Sequence, residues 1–250
     1  MNKESSFNII LKTDQENREI VSKRIYDEAY NETFAENSIK PQSKRRKKRI
    51  SIYKRIIGQN HEKILEIGCG LGDLTYALRY NAKSVVGVDI SSKVIEVAKT
   101  RKDLLSIEEN CAAQIEFLQM PAVNLNFPPA TFDYVVSTSM VEHLHPDDVV
   151  LHFKGVCRIL KDKGHYLVWC PNRLGHHKDR EAHLSMFSYE YLVEKMQSVG
   201  FSNFQSTLFT KPPMINARYK IFLEKVFYNL RIKILWSHLG LRNILLVATK

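Results

Sequence analysis

The sequence predicts an α/β protein: a doubly wound, mostly parallel seven-stranded sheet, with a helical N-terminal extension and a helical insertion before the last strand. Three observations carry that expectation. From residue 63 onward, short runs rich in Val, Ile and Leu alternate with amphipathic stretches, the pattern of buried strands between covering helices. The first run ends in three glycines at alternate positions, "ILEIGCGLGDLT" over 64–75. Finally, 250 residues with 44% apolar side chains suffice for one packed α/β domain with additions.

Residues 1–45 are polar and mixed, and read as a partly ordered extension ahead of a domain over 46–250. The basic run at 44–49 leads into a segment whose Ile50, Tyr53, Ile56 and Ile57 recur at helical spacing. "KILEIG" is the first strand, and "DLTYALRYN" a short helix with Leu74, Ala77 and Leu78 on one face. "SVVGVDI" is the second strand, followed by a helix capped by Ser91 or Ser92. "AQIEFLQM", "FDYVVSTS" and "GHYLVWCPN" give strands three to five, the last two separated by the helix "PDDVVLHFKGVCRIL". "YEYLVEKMQSVGF" is a helix ending near Gly200, and "FQSTLFT" and "RNILLVATK" close the sheet around an aromatic, basic helical insertion over 211–240.

The formal charge of +10 is concentrated. Residues 40–55 hold nine Lys or Arg and no acid, and residues 211–250 hold eight against Glu224 alone. Such zones suit an anionic partner or a solvated helix face. For "KRRKKR" a solvated helix entry, an RNA-phosphate contact and a nuclear-import signal stay open. For the insertion the readings are a helix packed on the domain, a lid over an acceptor, and a peripheral helix on an anionic membrane. The four cysteines lack metal-ligand or disulfide spacing, so no metal site is expected and the reducing cytoplasm is the default. The N-terminus shows no signal-peptide core, and no apolar run reaches the ~18–20 residues a membrane span needs.

In an open parallel sheet the turn after the first strand is the usual ligand contact. Gly68 and Gly70 would let the backbone turn sharply and approach a ligand, and Gly72 would open the next helix. The spacing is G-x-G-x-G rather than G-x-G-x-x-G, with Asp73 where a pyrophosphate would be repelled, and no Walker lysine follows. Glu66 is a second acid aimed at the same turn. Two acids suit a cofactor that carries positive charge.

"LEIGCGLG" resembles the first motif of class I S-adenosylmethionine-dependent methyltransferases, and further motifs follow in order. Asp89, closing "VVGVDIS", matches the acid that holds the ribose hydroxyls in that family. "FDYVVSTSMVEHL" resembles its fourth-strand motif and "RILKDKGHYLV" its fifth-strand entry. "EHL" at 142–144, "PN" at 171–172 and "HLSMFSYEYL" at 183–192 resemble the branch of quinone-biosynthesis and glycan methyltransferases. The likeness covers roughly residues 60–205. It implies a Rossmann-like methyltransferase fold, S-adenosyl-L-methionine as cofactor, and contacts from Glu66, Gly68, Cys69, Gly70, Gly72, Asp89, Ile90, Gln119, Met120 and Ser137. Two departures stand out: Gln119, Met120 and Pro121 replace the acid expected for the adenine amino group, and the glycine pair before strand five is reduced to Lys163-Gly164.

The same resemblance places Glu142, His143 and His183 in the acceptor region, His143 and His183 as general-base candidates and Glu142 orienting His143. Each also has a plainer reading, as a backbone-bonded, loop-ordering or ion-pairing residue. His176 and His177 fall in a polar loop. "STSM" at 137–140 lacks the Pro-Pro-aromatic loop that base-amine methylases share. An oxygen or carbon acceptor is therefore favoured over a base amine, and an oxygen of a sugar, lipid-linked glycan or quinone-like compound leads. RNA methylation is the alternative within the enzyme class, and a catalytically silent binding protein is the alternative outside it.

Overall fold

The computed structural model describes residues 6–30, 43–106, 113–173, 183–207, 214–229 and 243–250. They fall into two compact units, Met1–Asn126 and Phe127–Lys250. His176, His177, Cys111 and the insertion's stretches 208–213 and 230–242 lie outside the described residues.

The first unit runs α1 (Ser6–Lys12), α2 (Arg18–Ala29), α3 (Lys44–Ile57), β1 (His61–Ile67), α4 (Asp73–Ala77), a 3-10 turn (Leu78–Tyr80), β2 (Ala82–Asp89), α5 (Ser92–Ser106) and β3 (Gln114–Gln119). Its strands pair in parallel in the order β3-β2-β1, with Leu65 opposite Val86 and Asp89 opposite Gln119. Ile64, Leu65, Val85 and Val88 are wholly buried, each worth about 1.5–3 kcal/mol on folding. Helix α3 begins where Ser43 accepts the Arg46 amide and stops at Gly58, whose φ of 79° no other residue takes easily. Its buried stripe is Ile50, Tyr53 and Ile57, with Ile56 only half-buried. Of the two candidate caps of α5, Ser91 is the one used: its hydroxyl accepts the Val94 amide at 3.3 Å. In the extension, 6–30 forms two helices that bury Ile10 and Ile25.

The second unit runs β4 (Phe132–Thr138), a 3-10 turn (Val141–His143), α6 (Asp148–Ile159), β5 (Leu160–Pro171), α7 (Tyr189–Gln197), β6 (Ser202–Thr207), β7 (Met214–Asn216), α8 (Ala217–Asn229) and β8 (Asn243–Thr249). The order is β4-β5-β8-β6-β7, with β4 and β5 parallel and every later pair antiparallel. The described residues therefore hold eight strands rather than seven. The additional strand is the head of the segment expected to be helical, drawn out by pairing of Met214 with Thr207 and Ile215 with Ser206. The reduced glycine pair also gains a reason. A Cβ at 164 would lie 2.8 Å from the Lys161 carbonyl, so glycine is kept there, while Lys163 itself takes a φ of 63°.

Candidate functional site

In the first unit β1 leads into the glycine turn. The amides of Gly68 and Cys69 both donate to the Val88 carbonyl, at 2.8 and 2.9 Å, which seats the turn on the end of β2. Gly70, at φ 52°, donates its N–H to Asp89 Oδ2 at 3.0 Å. Ser91 N–H donates to Oδ1 at 3.1 Å. Each carboxylate oxygen keeps a further lone pair, which is what a vicinal diol requires. A Cβ on Gly70 would meet nothing within 4 Å, so there is open space beside the acid. Gly72 differs. Its φ is 77°, and a Cβ there would sit 2.6 Å from the Phe117 ring. Burial, the largest cause, raises the Asp89 carboxyl, and the backbone amides of Ser91, Gly70 and Ile90 oppose it.

The two acids do not play the electrostatic part expected of them. Asp73 is 6% exposed and held by Arg46 and Arg101, each at 2.7 Å, and Arg101 also donates to the Leu71 carbonyl at 2.8 Å. Its charge is thus more than balanced, and it does not repel an anion. Glu66 is buried and accepts the Thr75 hydroxyl at 2.5 Å, and burial pushes its carboxyl up to about 8. At neutral pH it is mostly uncharged. Both acids brace the turn rather than attract a cation. Arg46 is also withdrawn from "KRRKKR" toward this internal role.

The adenine-side residues stand at the ends of β2 and β3. Gln119 is exposed and donates Nε2 to the Ile90 carbonyl at 3.3 Å, which leaves its amide oxygen as an acceptor where the usual acid is missing. Met120 N–H is taken by the Asp89 carbonyl at 2.8 Å. Cys69 is buried, and burial raises its thiol well above the ordinary range, so it packs rather than reacts.

In the second unit, Glu142, His143 and His183 bring one ligand-type atom each within 4.8 Å of the others. Ser185 holds the two segments together: its amide donates to the Glu142 carbonyl at 2.9 Å and its hydroxyl to the Leu144 carbonyl at 2.9 Å. The rings of His143 and His183 lie 5.4 Å apart. Burial, then the neighbouring His183, lowers His143 to about 4, and burial raises Glu142 to about 7. Glu142 Oε2 is buried with no hydrogen-bond partner among the described residues. Such a set can take a proton or hold a divalent cation. Ser137 behaves differently from expectation: it is fully buried, and its hydroxyl is joined to Tyr166 Oη at 2.6 Å, which in turn meets His152 Nε2 at 2.8 Å. Its side chain belongs to the interior of this unit.

Residues 64–164, the glycine turn and Asp89 included, match the family model described as a methyltransferase domain. This stretch is similar to class I S-adenosylmethionine-dependent methyltransferase domains. Its relatives include the ubiquinone biosynthesis O-methyltransferases of Cupriavidus pinatubonensis, 30% identical over 47% of this chain and 45% of that protein, and of Pelagibacter ubique, 35% identical over 41% and 39%. The match thus spans less than half the length of these curated relatives. Among solved structures, the YcgJ protein of Bacillus subtilis overlays 82% of this chain and 98% of its own with a TM-score of 0.60 at 18% identity. The fold is the Rossmann-like methyltransferase fold, with S-adenosylmethionine as the family's cofactor.

Sequence reasoning singled out the glycine turn and Asp89 but missed Thr75, Arg46, Arg101 and, on α2, Asp27, which accepts from the Ser91 hydroxyl. The signal for Thr75 was present, since an apolar β1 forces Glu66 inward and a buried acid needs a donor. The other three are long-range partners that no local pattern marks. No described helix is long and apolar enough to cross a membrane.

Proposed function

We propose that the chain transfers the methyl group of S-adenosylmethionine to an oxygen of a small-molecule acceptor: a sugar, a lipid-linked glycan or a quinone-like compound. The observation that supports this best is the convergence of Glu142, His143 and His183 within 4.8 Å. In such a transfer the O–CH3 bond forms as the S–CH3 bond breaks, and sulfur keeps the electron pair, leaving S-adenosylhomocysteine. The sulfonium is already activated, so the protein's tasks are alignment and removal of the hydroxyl proton. His143, held near 4, is unprotonated at neutral pH, and Glu142, near 7, titrates where a base is useful. Once Glu142 ionises, its charge favours a proton on His143. The oxygen-directed names of the relatives favour a quinone-like acceptor within the class. On α8, Tyr219 and Phe222 are exposed and stacked, which would suit a lipid-linked one.

His143→Ala and His183→Ala are each expected to slow single-turnover transfer by about 10²–10⁴-fold while the methyl donor's Kd, by isothermal titration, stays within about threefold. Unchanged turnover in both variants would remove the proton-acceptor role. The same three ligand atoms favour a second reading, in which a divalent cation binds the acceptor oxygen. Loss of turnover on chelation, restored by added Mg²⁺, Mn²⁺ or Zn²⁺, would select it. Indifference to chelator would select the base.

A further inference from the structure

The strongest unassigned feature of the first unit lies outside the glycine motif, on the last turn of α2. Asp27 and Tyr30 stand three residues apart there, on one helix face, and Tyr30 N–H closes the helix on the Tyr26 carbonyl at 3.1 Å. The Asp27 carboxylate accepts from the Ser91 hydroxyl at 2.6 Å and the Lys93 amide at 3.4 Å through Oδ1, and from the Ser92 hydroxyl at 3.2 Å through Oδ2. Those residues directly follow the diol acid, and Ser91 itself donates to Asp89. The helix end is therefore pinned to the segment that carries Asp89, and Tyr30, its C-cap, follows three residues after the pinning carboxylate.

Tyr30 is half-buried, and its phenol is raised to about 12 by burial first and then by Asp89 and Cys69. It thus stays neutral at physiological pH, and it senses both the diol acid and the glycine turn. We propose that Tyr30 is a cofactor-contacting residue that covers the sugar of the nucleoside bound at Asp89, and that Asp27 is the positioning residue that holds it there. The open space beside Gly70 is the volume the sugar would occupy. A ring over that space keeps water from the diol–carboxylate hydrogen bonds and so strengthens them. This assignment rests on the family's cofactor and is independent of the acceptor.

The test is titration of the full chain with S-adenosylhomocysteine, alongside melting of the ligand-free protein. Tyr30→Ala is expected to weaken binding at least tenfold, and Tyr30→Phe to stay within about threefold, with ligand-free melting temperatures unchanged. Asp27→Ala should weaken binding through Tyr30, so the double variant Asp27→Ala/Tyr30→Ala should bind no worse than Tyr30→Ala. Glu28→Ala, on the exposed side of α2, is the control. In the wild-type protein, S-adenosylhomocysteine should slow amide exchange over residues 24–30. Binding by Tyr30→Ala within about twofold of wild type, or no exchange response in 24–30, would overturn the Tyr30 assignment. Additive losses in the double variant would overturn the positioning role of Asp27.

Discussion

Replacing Glu66 by Gln should flatten part of the pH dependence of stability. The ordinary value for a glutamate is 4.5, and in the folded chain burial raises this one to about 8. A carboxyl whose folded value is raised contributes stability that is complete below 4.5 and is lost as pH climbs through 8. Linkage makes the whole effect on the order of 4–5 kcal/mol, and about 2 kcal/mol of it falls between about pH 6 and pH 8. That is a large share of the roughly 5–15 kcal/mol by which such domains are stable. Glutamine has nearly the same shape, can accept from Thr75, and does not ionise. Urea unfolding of both proteins across this window gives the difference directly, because every other titrating group is common to the two. The stability of Glu66→Gln relative to wild type should rise by about 2 kcal/mol from about pH 6 to pH 8. A difference that stays flat would mean Glu66 is ionised when folded and would refute the reasoning.

Gly72→Ala should cost several kcal/mol in equilibrium unfolding, roughly 2–4, since its Cβ would lie 2.6 Å from Phe117 at a φ of 77°. Gly70→Ala, facing open space, should lose less stability but weaken S-adenosylhomocysteine binding by calorimetry. The two arginines on Asp73 should also separate. Arg101→Met, at 20% exposure and with a second bond to Leu71, should cost about 1–3 kcal/mol by urea unfolding, and the 46%-exposed Arg46→Met under about 1.

What could be read from the sequence was whatever repeats locally or is confined to one turn. The short runs of Ile, Leu and Val marked β1, β2 and β5 because strands buried on both faces need closely spaced apolar residues. The glycines at 68, 70 and 72 were legible because a tight turn at positive φ leaves few alternatives, and the acid at 89 because it closes an apolar strand. The charge state of Glu66 was not legible, since it depends on burial rather than on neighbours in the chain. Asp27 reaches Ser91 across 64 residues, and Arg46 and Arg101 reach Asp73 from opposite sides, pairings that no periodicity encodes. The same holds for His183 beside Glu142 and His143: the three were expected in one region, but not as one set of ligand atoms. Strand β7 escaped because three residues are too few to show alternation.

The double arginine grip on Asp73 bears on the order in which the protein becomes competent. One arm lies upstream of the turn and the other downstream, at Arg101. A nascent chain that has passed the glycines but not yet reached that arginine can pair Asp73 with Arg46 alone, so the turn gains its second fastening only with the helix that follows the second strand.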